Sequence, residues 1–256
     1  MALTEEQKAF FWENGYLPVP NLLTPQETAA LAQRCDDLAS RKLTHLPEPY
    51  VQLEPEMAKR GVKLGDDVLA VRKIWMLYKY DDFFRAHALN PRIVNIVADL
   101  LGTEDIKLYV DQLFLKAPGG VGSAKSWHQD SPYWSIEPTN LVSVWTALDD
   151  ATEANGCMHY IAGSHKRGPI AHHQLDDFKI LDEDLDLSKE VAVPIGAGGC
   201  IFHHSLAAHT TSANTSPYRR RAHVTAYMDA RSKYTGDPEK RGDYIQVRGR
   251  SFEGCV

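Results

Sequence analysis

In Ser126-Trp127-His128-Gln129-Asp130 an imidazole and a carboxylate stand two residues apart. Side chains on an extended strand repeat every two residues, so His128 and Asp130 are expected on one face, aimed at one metal ion. That pair alone is weak, because such spacing is common by chance. A second run, Gly198 to Arg221, carries His209 and, further along, Arg220. If His209 returns to the first pair, two imidazoles and one carboxylate form the facial triad of non-haem Fe(II) oxygenases, which leaves positions open for co-substrates. Arg220 is spaced to stand on the next strand and point into the same cavity. Its planar, permanently charged guanidinium suits bidentate capture of a carboxylate. A metal triad with a carboxylate clamp behind it points to a chelating co-substrate acid, 2-oxoglutarate.

Such residues need a rigid scaffold, and the chain divides into two regions. Residues 1–104 read as mostly helical. Thr4-x-x-Gln7 is a capping box closed by Asn14-Gly15, and a short extended stretch is expected at Tyr16 to Val19. Thr24-Pro25-Gln26-Glu27 opens a helix with Thr28, Leu31, Cys35 and Leu38 on one face. Asn90-Pro91 opens another, with Ile93, Ile96, Val97, Leu100 and Leu101 inward and Gly102 as its stop. Residues 42–67 show no period and are expected to be loop. From 105 to 256 short β-rich runs dominate: Ile106 to Val110, Leu113 to Leu115, Leu141 to Leu148, Val191 to Val193, Ile201-Phe202 and His223 to Met228. Many short strands without intervening helices predict an antiparallel sandwich or barrel rather than a βαβ sheet. One mainly β domain over 1–256, with N-terminal helices packed on it, is the expectation.

Composition narrows the function. The formal charge is −6, from 28 basic and 34 acidic residues, so a nucleic-acid binder with a basic stripe is not expected. No run of 18 apolar residues suggests a membrane span. The four cysteines fall at no paired spacing, which predicts free thiols in a reducing compartment. The amino terminus lacks a basic, then apolar, leader pattern, so a cytoplasmic protein is expected. Nothing in the sequence sets an oligomeric state.

Several motifs together resemble the phytanoyl-CoA dioxygenase family. They run in that family's order: Trp127-His128-Gln129-Asp130, Trp145-x-Ala147-Leu148-Asp149-Asp150-Ala151-Thr152, Glu153-x-Asn155-Gly156-Cys157, Gly163-Ser164-His165-Lys166, and His209-x-Thr211-x-x-Asn214-x-Ser216-x-x-x-Arg220. Phe11-x-x-Asn14-Gly15-Tyr16-Leu17 and Arg72-Lys73-Ile74 extend the likeness over nearly the whole chain. The resemblance implies a double-stranded β-helix (a cupin-like jelly roll) and an Fe(II)- and 2-oxoglutarate-dependent dioxygenase using O2, with ascorbate as an expected stimulant. It implies His128, Asp130 and His209 as iron ligands and Arg220 on the distal carboxylate of 2-oxoglutarate. Thr211 stands where the family usually has a serine on that carboxylate. Trp145, Lys73, Gln112 and Gln129 are placed with the co-substrate residues. Because Asp130 is present, hydroxylation or a related oxidation of a small organic substrate is implied rather than halogenation, with succinate and CO2 formed.

Alternatives stand beside this reading. A cupin-like metal enzyme without 2-oxoglutarate, or a metal- or small-ligand-binding protein on the same scaffold, would use the same triad. Within Arg219-Arg220-Arg221, strand alternation should turn the outer two away from the cavity. Tyr133 and Trp134 are either a substrate wall or core, and His165 either a structural hydrogen-bonder or a substrate contact. His203 and His204 should point to opposite faces rather than join Cys200 in a zinc site. His172-His173 is expected at the surface, and Asp149-Asp150 as turn caps. Lys73, on the inward face of an apolar strand, needs an anion.

Overall fold

A computed structural model describes residues 2–175 and 177–256. Its helices start and stop where local chemistry demands. Helix α1 (Glu5–Asn14) has the capping box: Thr4 accepts from the Gln7 N–H and the Gln7 side chain accepts from the Thr4 N–H. It ends at Gly15, whose φ of 84° is left-handed. A Cβ there would also lie 2.5 Å from Nδ1 of His165, so glycine is required twice over. Helix α2 (Pro25–Ala39) has the reciprocal Thr24/Glu27 box and buries Thr28, Leu31, Cys35 and Leu38, the expected face. Helix α3 (Pro91–Leu101) is capped by Asn90, ends at left-handed Gly102 and buries Ile93, Ile96, Val97 and Leu100.

Among the described residues, twelve strands of three or more residues build the β core. In chain order they are β1 (Tyr16–Val19), β2 (Val51–Leu53), β3 (Val71–Trp75), β4 (Ile106–Lys116), β5 (Lys125–His128), β6 (Val142–Ala147), β7 (Met158–Ile161), β8 (Glu190–Val193), β9 (Cys200–His204), β10 (His209–Thr211), β11 (Arg220–Asp229) and β12 (Ile245–Arg248). The major sheet runs β1-β9-β6-β11-β4-β3-β2, with β12 also on β4; the minor sheet runs β8-β7-β10-β5. All pairings are antiparallel. Two facing antiparallel sheets with these crossovers are the double-stranded β-helix expected from the sequence.

The helices cover the outer face of the major sheet. Phe11, Ile93, Ile96 and Val97 pack with Leu108, Val144, Phe202 and Tyr227, while Leu31, Cys35 and Leu38 pack with Ile74, Leu113 and Leu115. Strand β6 is therefore buried on both faces along its whole length, which is why its sequence reads as a continuous run. Its inward residue Trp145 joins Met158 and Tyr160 of the minor sheet between the two layers.

Two expectations are corrected. Residues 42–67 are not all loop: β2 pairs with β3 and extends the major sheet, and Pro55–Lys59 is a short helix. A three-residue edge strand is too short to show a period; its partner, not its sequence, selects it. The runs Ile106 to Val110 and Leu113 to Leu115 are one strand, β4, continuous through buried Asp111. Tyr109 is the extra residue opposite the Ala226/Tyr227 step, so a bulge interrupts the β4–β11 ladder.

Candidate metal centre and co-substrate cavity

The triad forms where the minor sheet ends. His128 closes β5, His209 opens β10, and the two are direct cross-strand partners. The β5–β10 register slips by one residue, which turns Lys125 and His128, three apart, into the same cavity. Asp130 corrects the sequence argument. It is not on a strand; its φ of −74° and ψ of −41° lead into the turn Ser131–Tyr133. The chain bends because the N–H groups of Asp130 and Ser131 both donate to the Ser205 carbonyl, at 2.9 and 3.0 Å. The carboxylate thus arrives beside the imidazoles from a turn rather than by strand alternation.

Donor atoms of His128, Asp130 and His209 all lie within 4.8 Å of one another. Oδ1 of Asp130 is 3.9 Å from Nε2 of His128 and 3.8 Å from Nε2 of His209. Each imidazole is oriented from behind. Nδ1 of His128 is 2.8 Å from the Ser126 carbonyl, and Nδ1 of His209 is 2.9 Å from the Ala207 carbonyl. A carbonyl only accepts, so Nδ1 carries the proton in both rings and the Nε2 lone pairs face the centre. Burial lowers both imidazole pKa values, His128 well below the ordinary range and His209 to about 4, so both are neutral at pH 7. Burial would raise the Asp130 pKa, but the hydrogen bond from His203 and the neighbouring imidazoles outweigh it and hold the carboxyl ionised. Two neutral nitrogen donors and one carboxylate oxygen around one point fit a divalent first-row metal.

Sequence reasoning missed the support behind Asp130. Its Oδ2 accepts from Ser143 Oγ at 2.8 Å and from His203 Nε2 at 3.2 Å. His203 and Ser143 are register partners on β9 and β6, so one cross-strand pair serves one oxygen. Tyr160 Oη lies 3.1 Å from the other ring nitrogen of His203. The expected divergence of the His203-His204 pair is present, since His204 packs on Trp12 and His165 instead. What could have exposed His203 is its place on the strand that precedes His209 in the chain, but a lone histidine there carries little signal.

The triad opens into a cavity of about 440 Å³ between the sheets. Arg220, the first residue of β11, reaches it from the opposite layer. It is 1% exposed, and its Nε and Nη1 have no hydrogen-bond partner. Its guanidinium stacks 5.3 Å from the Trp145 ring, and burial lowers its pKa to about 10. Arg219 pairs with Asp36, and Arg221 pairs with Asp149 and Asp36, so the alternation within the arginine run is as expected. Asp149 is therefore an ion-pair partner rather than a turn cap, while Asp150 does cap a turn, accepting from the Ala197 N–H. Thr211, Gln112, Trp145 and Lys73 all line the cavity. Lys73 has cation–π contacts with Trp75 and Phe114, and burial lowers its pKa to about 8. The buried, unsatisfied Arg220 beside a metal-type triad fits a carboxylate co-substrate.

Two placements, those of Gln129 and His172, differ from expectation, while His165 takes the structural hydrogen-bonding alternative. Gln129 does not reach the cavity: its amide donates to the Gly168 and Leu206 carbonyls and accepts from the Ile170 N–H, tying a loop behind the metal ligands. Gln129 follows the last residue of β5, and these three hydrogen bonds hold its side chain on the side away from His128 and the cavity. His165 is likewise outside the cavity; its Nε2 lies 3.1 Å from the Trp12 carbonyl and secures α1 to the core. His172 is half-buried and stacks on Phe178, accepting from the Gln129 N–H; only His173 is exposed. Trp134 is both core and cavity wall, packed with Ile136 and Met228. Tyr133 is 44% exposed at the mouth, its hydroxyl donating to the Phe178 carbonyl. A wider open groove of about 850 Å³ lies along α2. Its Arg92, Arg219 and Arg221 are all paired to carboxylates, which leaves no cation free for a ligand.

No helix among the described residues is long and apolar enough to cross a membrane. The sequence profile of the phytanoyl-CoA dioxygenase (PhyH) family matches residues 11–222. A probable phytanoyl-CoA dioxygenase of Caenorhabditis elegans is 28% identical over 98% of this chain and 80% of its own. A probable alpha-ketoglutarate-dependent hypophosphite dioxygenase of Stutzerimonas stutzeri is 25% identical over 96% of this chain and 86% of its own. The solved structure of the non-haem alpha-ketoglutarate-dependent carbocyclase SnoK, from nogalamycin biosynthesis, superposes with a TM-score of 0.70 at 25% identity, covering 91% of this chain and 86% of that one.

Proposed function

The chain belongs to the phytanoyl-CoA dioxygenase family of Fe(II)- and 2-oxoglutarate-dependent oxygenases, and from that premise we propose that His128, Asp130 and His209 hold its iron and Arg220 anchors its 2-oxoglutarate. Bound iron and 2-oxoglutarate supply the oxidising power, with O2 consumed and succinate and CO2 released. The residues of this chain bind, orient and exclude water. The Ser126 and Ala207 carbonyls fix the imidazole tautomers, and Ser143 with His203 fixes the carboxylate. Arg220 takes the distal carboxylate of the co-substrate, with Thr211 beside it and Trp145 packed on the guanidinium. Lys73 and Gln112 complete the co-substrate wall. Tyr133 and Trp134 border the space left for the prime substrate. That space lies within the cavity of about 440 Å³, which suits a small organic metabolite. We take 1–256 as one jelly-roll unit, with the helical region (residues 1–104) packed on the β core (residues 105–256). Four free thiols accord with a reducing, cytoplasmic setting.

One observation carries the assignment of 2-oxoglutarate to this cavity: a buried arginine with two unpartnered nitrogens faces the same cavity as the triad. A metal enzyme without a co-substrate acid, or a simple metal-binding protein, has no use for that costly group. Anaerobic titration with Fe(II) and 2-oxoglutarate tests it. The expected result is a visible metal-to-ligand charge-transfer band that forms in the wild type and weakens in Arg220→Ala. No band in the wild type would favour the two alternatives.

A further inference from the structure

The cavity carries more positive charge than iron and 2-oxoglutarate can use, in a chain whose net charge is −6. Among the described residues five basic side chains line it, Arg72, Lys73, Lys116, Lys125 and Arg220, against the single acid Asp130. Two of the five are already engaged. Lys125 pairs with Asp177 at 2.6 Å. Lys116 donates to the Ser123 carbonyl at 2.9 Å and to the Ser212 carbonyl, and burial lowers its pKa to about 6, so it brings little charge at neutral pH. In the loaded site the charges of ferrous iron, Asp130, Arg220 and the co-substrate dianion balance. Lys73 already stands on the co-substrate wall, so Arg72, adjacent to it on β3, is the cation that remains, with no ion-pair partner among the described residues.

Half-buried like charges of this kind are unfavourable without an anion between them. The repulsion is present in the ligand-free site: after burial, the neighbouring Arg72 and Lys125 are what lower the Lys73 pKa. A cleft lined by one sign of charge also concentrates oppositely charged solutes. Resting on the oxygenase reading above, we infer that the prime substrate is a small acid whose carboxylate or phosphoryl group is anchored by Arg72. Arg72 is thereby a specificity-determining residue, and Lys73 lies between this anchor and the co-substrate. A neutral substrate would leave Arg72 uncompensated beside Lys73 in the cavity.

The test is a panel of small carboxylates and phosphonates, each matched with its neutral methyl ester, run on the Fe(II)- and 2-oxoglutarate-loaded enzyme. Coupled succinate formation is expected with acids and at least a hundredfold lower with the matched esters; the two arms show which anion is preferred. Arg72→Leu should raise the KM for the acid ten- to a hundredfold, with Arg72→Lys recovering part, while the 2-oxoglutarate charge-transfer band titrates as in the wild type. Esters used as well as acids, an unchanged KM in Arg72→Leu, or an equal loss of 2-oxoglutarate binding in that variant would each overturn the inference. A second readout needs no co-substrate: the acids should raise the thermal midpoint of the unloaded protein, and Arg72→Leu should abolish that rise. Loss of the charge-transfer band with this protection intact would strike the oxygenase reading and leave the anion site standing.

Discussion

His203 Nε2 lies 3.2 Å from Oδ2 of Asp130, the carboxylate oxygen turned away from the two triad imidazoles. A carboxylate only accepts, so His203 carries its proton on Nε2, and in the neutral ring Nδ1 then accepts from the Tyr160 hydroxyl. A chain of three residues therefore sets the angle at which Oδ1 faces a metal. Outer partners of this kind typically govern metal affinity by ten- to a hundredfold. Ser143→Ala and His203→Leu are each expected to weaken Fe(II) binding by about that factor, read by anaerobic metal titration. Affinity equal to the wild type in both would mean the carboxylate is held by the turn alone.

Asp130→Ala removes the only carboxylate of the cluster. Coupled succinate formation should vanish while circular dichroism still reports the β fold. Full turnover in this variant would remove Asp130 from the ligand set.

Arg220 makes two opposed predictions. Loss of its charge-assisted pairing in Arg220→Ala should weaken 2-oxoglutarate by roughly 2–5 kcal/mol, measured by equilibrium titration. Without ligand, however, its Nε and Nη1 are buried with no partner. Replacing an uncompensated buried charge with an apolar side chain is stabilising, so Arg220→Met should raise the thermal midpoint of the unloaded protein. A lower midpoint would show that the guanidinium's packing on Trp145 outweighs its desolvation.

Lys73 links co-substrate binding to pH. Burial and like charges lower its pKa to about 8 in the unloaded protein. An anion prefers the protonated amine, so 2-oxoglutarate affinity should fall as pH rises through 8, and Lys73→Met should flatten that fall. The stability sign is the reverse. Between pH 8 and the ordinary lysine pKa the unfolded chain binds more protons than the folded one, so the unloaded protein gains stability with rising pH there. Denaturant titrations at pH 7.5 and 9.5 should show this gain in the wild type and a smaller one in Lys73→Met, where buried Lys116, with its pKa lowered to about 6, still contributes over the same range.

Gly15→Ala joins a left-handed backbone to a clash with His165. A cost on the order of 1–3 kcal/mol is expected, seen as a lower thermal midpoint, with the Fe(II) affinity of the folded protein unchanged. An unaltered midpoint would mean that α1 and the His165 loop can separate freely.

The chemistry-bearing residues and the framework elements are largely legible in the chain itself. Capping boxes at Thr4 and Thr24, the glycine stop at Gly102 and the strand runs after 105 depend on neighbours within a few residues, so local sequence encodes them. The types and order of His128, Asp130, His209 and Arg220 likewise suffice to suggest a metal with a carboxylate clamp. What they do not supply is direction. Asp130, expected on a strand, stands in a turn held by the Ser205 carbonyl. Gln129 and His165, in the right motifs, face away from the cavity, because which side of a strand or turn looks inward is set by the sheet packed above it. Strand β2, the Tyr109 bulge and the service of His203 and Ser143 to one oxygen arise from pairings between residues distant in the chain. Taken alone, the order of amino acids specifies which groups are available and which elements can form. Folding selects which of those groups share one cavity and which charges within it are left unpaired, because register, bulges and burial are properties of the packed sheets and of no single segment.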